Sequence, residues 1–229
     1  MRDPLFDRQI LRVVIGSRAY GLAGEGSDVD RRGVFLPTAA RHWSLDGAPD
    51  VLRDDSREEM AWELQRFLTL ALKANPTVLE VLFSPLIEYA TPLGRQLLDL
   101  RTAFLSAKLH ATCGGYADQQ FAKLQRRAER GMSINWKHAA HCLRLLATGT
   151  TALAGDGFPV HVGDRRDVLL SVRRGERTLD EVNALRTAWT EDLDRALRNT
   201  PLPAEPNVVA VNEFLIRARR LAAASDTLP

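Results

Sequence analysis

Cysteine is scarce in this chain of 229 residues: there are two, Cys113 and Cys142, far apart in sequence. They lack the paired spacing of a zinc site, and a disulfide-stapled scaffold is excluded; both are expected to be reduced and buried. Long apolar runs are missing as well, since none approaches the roughly 20 residues needed to span a bilayer. The first residues, MRDPLFDRQI, carry acids and contain no signal-peptide core, so a cytoplasmic protein without membrane contact is expected. An excess of one charge is also absent. With 31 basic and 29 acidic residues the net charge is +2, so the overall field does not drive the chain toward nucleic acid, and any such binding needs a local basic patch. Internal repeats, low-complexity tracts and flexible linkers do not occur. What remains is an ordinary globular composition, 45% apolar and 26% charged, long enough for one large or two small domains.

One stretch carries a recognisable chemistry: Val13 to Phe35, VVIGSRAYGLAGEGSDVDRRGVF. Val13-Val14-Ile15 fits a short buried strand, and Gly16-Ser17 ends it with a tight turn that exposes backbone N–H groups, a candidate phosphate cradle. Gly21, Gly24 and Gly26 let the chain loop back before a second strand, Val29 to Phe35, at whose start stand Asp28 and Asp30. Residues two apart in a strand share a side, about 6.5–7 Å apart, so both carboxylates are expected to reach one point. Two converging anions call for a cation, and hard oxygen ligands suit Mg²⁺ or Mn²⁺ completed by phosphates of a nucleoside triphosphate.

This constellation resembles the DNA polymerase β-like nucleotidyltransferase superfamily, whose pattern is an apolar residue, Gly, then Gly or Ser, about a dozen residues, and Asp-x-Asp or Asp-x-Glu. More narrowly, GSRAYG, SDVD, NPTVLEVL from Asn75 to Leu82, and Ser84-Pro85 look like a bacterial group of predicted nucleotidyltransferases, some of them associated with RNA repair. The resemblance implies an α+β chain: a catalytic α/β domain with a mixed sheet over residues 1–90, then an all-helical domain over 91–229 that binds the acceptor. It also implies a third carboxylate from a strand beside the one bearing the Asp pair. In related sequences an Asp stands four positions before the residue matching Trp62, which falls on Glu58. Strand parity argues for Glu59 instead, if Met60 and Trp62 face the core. Asp28, Asp30 and Glu58 are therefore the expected metal ligands and catalytic residues, with Glu59 as the alternative. Gly16, Ser17, Arg18, Ser27 and Lys137 are the expected triphosphate contacts.

The rest of the chain reads mostly as helix. Leu64, Phe67, Leu68, Ala71 and Leu72 form one apolar stripe ended by Asn75-Pro76, and a second short helix carries Glu80, a candidate for a structural hydrogen bond. Trp43 is expected to be a packed aromatic in a polar connection running from Thr38 to Ser56. Beyond Pro92 helical patterns run over Leu93–Leu100, Ala103–His110, Tyr116–Arg130, Ile134–Ala154, Leu179–Leu197 and Val208–Leu221, with Gly114-Gly115 placed ahead of a helix. Lys137, His141 and Arg144 share one helical face, and Lys137 or His141 is a candidate to meet the triphosphate or substrate. His138 and His141 have no third partner at metal spacing and are read as packed. Lys123-Arg126-Arg127-Arg130 and Arg165-Arg166-Arg173-Arg174 are basic clusters, either solvated faces or contacts for RNA.

The expected function is metal-dependent transfer of a nucleoside monophosphate to a hydroxyl acceptor (an RNA end, a small molecule or a protein) with release of pyrophosphate. The alternative is an inactive nucleotide- or RNA-binding module of the same fold.

Overall fold

The computed structural model describes residues 3–224. After a 3₁₀ turn over Pro4–Arg8, capped by Asp3, the chain runs through β1 (Gln9–Ile15), α1 (Ser17–Tyr20), β2 (Asp30–Phe35), α2 (Ala39–Trp43), β3 (Val51–Asp54), β4 (Glu59–Glu63), α3 (Leu64–Leu72), α4 (Pro76–Phe83), β5 (Leu86–Ala90) and α5 (Pro92–Asp99). The helices α6 (Lys108–Glu129), α7 (Trp136–Leu153), α8 (Arg166–Arg173), α9 (Leu179–Arg198) and α10 (Val208–Ala224) follow. The fold class is α+β. Two compact units result: the described residues up to Phe104 together with those from Pro206 onward, and Leu105–Glu205. The last helix, α10, thus belongs to the unit that holds the sheet.

In that first unit the five strands are ordered β3-β4-β2-β1-β5. β1 is antiparallel to β2 and β5, β2 is parallel to β4, and β3 is antiparallel to β4, which makes the sheet mixed. Register assigns the faces, because residues paired across strands share a side. Ile15 pairs with Asp30, Arg32 with Met60, and Val34 with Trp62, so Asp30, Arg32, Met60 and Trp62 stand on one face. Trp62 packs there on Phe67 of α3, ring centroids 6.1 Å apart. Arg31 pairs with Glu59 and Gly33 with Ala61, which puts Arg12, Arg31, Glu59 and Ala61 on the other face, where Phe6, Phe35, Leu52 and Ala61 form a small apolar cluster.

The expected stripe is α3, with Leu64, Phe67, Leu68 and Ala71 buried. Glu63 starts this helix: its Oε2 accepts from the amides of Gln65 and Arg66 at 2.7 and 3.2 Å, and its Oε1 accepts from Arg219 of α10 at 2.6 Å. Asn75 caps α4, whose proline at the first position needs no donor.

Two strands are new relative to the sequence expectations. β3 is four residues with one base and one acid, and every residue of β5 but the last is exposed, so neither shows apolar alternation. Trp43 corrects another expectation. It is 72% exposed, with Leu45 beside it fully so, and it packs no core.

In the second unit α6 is one helix of 22 residues, and Gly114-Gly115 lies inside it rather than ahead of it. The reason is close packing: a Cβ on Gly114 would meet Leu193 of α9 at 3.3 Å, and one on Gly149 of α7 would meet Cys113 at 2.9 Å. Small residues let these helices approach. Cys113 and Cys142 are free and buried, and burial pushes the Cys142 thiol up to about 12. No helix among the described residues is long and apolar enough to cross a membrane.

Candidate active site

β1 delivers the chain to Gly16, whose φ of 74° and ψ of −157° lie in a region open essentially to glycine alone. The turn continues into α1, where Tyr20 N–H donates to Gly16 O at 3.0 Å and Leu22 N–H to Ser17 O at 2.9 Å. A Cβ built on Gly16 would overlap Oδ2 of Asp30 and lie 3.2 Å from its Cγ. The missing side chain is therefore the space that the Asp30 carboxylate occupies, and the glycine turn and the acidic strand are in contact.

The loop between them is held from within. Ser27 Oγ accepts from Gly24 N–H at 2.9 Å, and Arg18 donates to the carbonyls of Ser27 at 2.7 Å and Asp28 at 3.2 Å. Arg18, expected as a phosphate contact, thus spends donors on the backbone that carries Asp28, and Ser27 spends its hydroxyl on its own turn. β2 begins at Asp30, so Asp28 stands just ahead of the strand, exposed, and strand parity orients Asp30 alone. Tyr20 of α1 donates its hydroxyl to the buried Glu80 of α4 at 2.5 Å, the structural hydrogen bond expected for that acid.

On the neighbouring strand the two candidate acids separate. Glu58 caps the 3₁₀ turn Asp55–Arg57 in the left-handed region at φ 51°, exposed, and its carbonyl accepts from Arg31 N–H at 3.0 Å and Arg32 Nη1 at 3.1 Å. Glu59 is buried, on the sheet face opposite Asp30, where its Oε1 accepts from Gln9 Nε2 at 2.7 Å and stands 3.9 Å from Arg12. Met60 and Trp62 lie on the same face as Asp30, so the parity argument for Glu59 inverts. A cleft of about 290 Å³ opens at this end of the sheet, lined by Asp30, Asp55, Glu58, Glu59, Arg32, Arg53 and Met60. The Glu59 carboxylate points to the far face of the sheet, so Asp30, Asp55 and Glu58 against Arg32 and Arg53 leave the cleft with one excess negative charge. Arg32 Nη2 stands 3.6 Å from Asp30 Oδ1, a loose pair. Among the described residues no three His, Cys, Asp or Glu side chains cluster as a complete metal shell. Sequence reasoning missed Arg32, Arg53 and Asp55; only Arg32, two residues past Asp30 on one strand, carried a readable signal.

Lys137 stands exposed on α7 of the second unit. Along its helical face burial deepens to Arg144, 1% exposed, and His141, whose pKa is lowered to about 3 by burial first and then by the charge of Arg144. Tyr116 meets the rings of His138 and His141 in T-shaped contacts, and the two imidazoles are tilted to each other, with centroids 5.8–6.3 Å apart.

A sequence model of the RNA repair pathway DNA polymerase beta family matches residues 7–217. The chain belongs to this family. The match takes in the glycine turn, the Asp strand and most of the helices, so the polymerase β type of nucleotidyltransferase-like family is that of the chain as a whole. The uncharacterized protein YcgL of Bacillus subtilis (strain 168) is 35% identical over 97 residues, which are 41% of this chain and 37% of that protein, so the similarity spans little more than a third of the relative's length. The crystal structure of a nucleotidyltransferase-like protein from Exiguobacterium sibiricum 255-15 aligns over 93% of this chain and 74% of that one, at 16% identity and a TM-score of 0.31.

Proposed function

We propose that the first unit transfers a nucleoside monophosphate from a nucleoside triphosphate to a hydroxyl acceptor, with pyrophosphate as the leaving group. The observation that carries this reading is the contact of Gly16 with the Asp30 carboxylate, which joins a glycine backbone turn to an acid at the mouth of a negative cleft. The oxygen donors there fit Mg²⁺ or Mn²⁺: Asp30, Asp28 and Glu58 are its ligands in this reading, and phosphate oxygens complete a shell that the protein leaves open. When bound, the cation neutralises developing charge and lowers the pKa of the attacking hydroxyl.

The chain's own groups do the rest. Gly16 and Ser17 bind the triphosphate through backbone N–H and hydroxyl, and Arg32 and Arg53 hold phosphate charge at the cleft. Arg18 orients Asp28 through its carbonyl. The acceptor oxygen forms a bond to the α-phosphorus as the bond to the β-phosphate oxygen breaks, and the hydroxyl proton passes to solvent. A screen of the four triphosphates with Mg²⁺ or Mn²⁺ and pooled RNA, small-molecule and protein acceptors tests this by pyrophosphate release.

The incomplete acid cluster favours one second reading, an inactive nucleotide- or RNA-binding module. It predicts that nucleotide raises the melting temperature by mass action while no pyrophosphate appears in any combination.

A further inference from the structure

The basic residues of the second unit fall into two groups. Several stand beside acids: Lys108 with Glu205 at 2.5 Å, Arg186 with Asp118 at 2.9 Å, Arg195 with Asp192 at 2.9 Å, Arg174 with Glu176 at 3.6 Å and Arg166 with Asp167 at 3.8 Å. In the cluster around α8 that the sequence singles out, Arg166 and Arg174 thus have acids beside them, and Arg165 lies over the ring of Trp189.

The end of α6 is different. Lys123, Arg126, Arg127 and Arg130 are all exposed, and none makes an ion pair among the described residues. Their spacing of three, four and seven puts them on one side of the helix. Cations do favour a helix C-terminus, yet that effect fades within the last turn, and Lys123 lies before it. Arg127 has a structural task, donating through Nε to Ser133 O at 3.1 Å where the helix ends, and Arg126 Nε donates back to Ala122 O at 3.1 Å, so only their Nη groups remain for a partner. Lys123 also lowers the pKa of His138, second to burial, as an uncompensated charge does.

We propose that this stripe binds the phosphodiester backbone of a nucleic-acid strand, which deepens the reading above by making the acceptor a nucleic acid. Lys123 to Arg130 spans about 10 Å of helix, roughly three intervals of about 3.4 Å and so about four phosphates of one B-form strand. The same face offers no apolar wedge for a lipid surface, since Phe121 and Leu124 of this helix are buried.

The test measures affinity for a labelled single-stranded RNA by fluorescence anisotropy, using the full chain without metal or nucleotide. Four contacts at about 0.7 each give a slope of log affinity on log salt of about −2.8, or roughly fifty-fold weaker binding between about 50 and about 200 mM salt. The triple variant Lys123→Gln/Arg126→Gln/Arg130→Gln is expected to retain a slope of about −0.7, roughly a three-fold loss over that range. Arg166→Gln/Arg174→Gln/Arg195→Gln removes the same charge from paired positions and is expected to keep the wild-type slope, as is Arg126→Lys/Arg130→Lys. Equal slopes for the two glutamine triples, no RNA binding at low salt, or capture on phosphatidylglycerol vesicles in place of RNA each overturns the proposal. The two readings fail separately. RNA bound through the stripe without pyrophosphate release on any acceptor refutes the catalytic one alone, and transfer to a non-nucleic acceptor by a chain that binds no RNA refutes the stripe alone.

Discussion

Replacing Gly16 by alanine makes two demands on the site. The backbone at φ 74°, ψ −157° must be held by a residue with a side chain, which costs about 1–3 kcal/mol. The new methyl must also displace the Asp30 carboxylate, whose Oδ2 fills the space. For a chain of this size each kcal/mol lowers the melting temperature by about 2–4 °C, so the backbone part alone predicts a fall of roughly 2–12 °C. The second demand is separable by a double-mutant cycle. In an Asp30→Ala background the methyl has room, so Gly16→Ala costs less there, with a coupling of about 0.5–3 kcal/mol as found for residues in contact. Urea unfolding of wild type, both single variants and the double variant measures it. Strict additivity would refute the claim that this glycine exists to admit that carboxylate.

Three further outcomes are expected. Mg²⁺ and nucleoside triphosphate together raise the melting temperature by more than the sum of their separate shifts, because phosphate oxygens complete the metal's shell; additive shifts mean two unrelated sites. Burial holds the His141 pKa at about 3, against about 6.5 for an ordinary histidine, so the folded state binds fewer protons and stability falls by about 1.4 kcal/mol per pH unit as pH drops from about 6.5 toward about 3. His141→Gln reduces that slope by one proton, and unchanged slopes in unfolding at successive pH values contradict the assignment. Glu63→Ala strips α3 of its cap and leaves Arg219 partly buried without its acid, for about 3–5 kcal/mol; the urea midpoint reports it, and a shift below about 1 kcal/mol removes the Glu63–Arg219 pair as the tie between α10 and the sheet.

The parts of this fold legible in the sequence are those where one local signal suffices. The apolar run ending at Gly16-Ser17, the stripe of α3 and the long helical half all follow from periodicity and breakers. What escaped depends on neighbours far along the chain. β5 shows no alternation because nearly all of it is exposed, and β3 is four residues with two charges. Trp43 looks like core by residue type, and only its position on the short helix α2 exposes it. Within the site, Gly16 and Asp30 were readable by spacing, while the roles of Arg18 and Glu59 were not. Arg18 turns back onto loop carbonyls, and Glu59 faces the far side of the sheet because register, which a single strand cannot reveal, pairs it with Arg31.

The measurement that bears most directly on the central claim is pyrophosphate release by the wild-type chain and by Asp30→Asn, in whichever triphosphate, cation and acceptor combination gives the highest rate. The proposed site predicts release by wild type, and its loss in Asp30→Asn with the melting temperature kept, because an amide leaves the packing against Gly16 but removes the charge. Release within a few-fold of wild type from the Asn variant would contradict it.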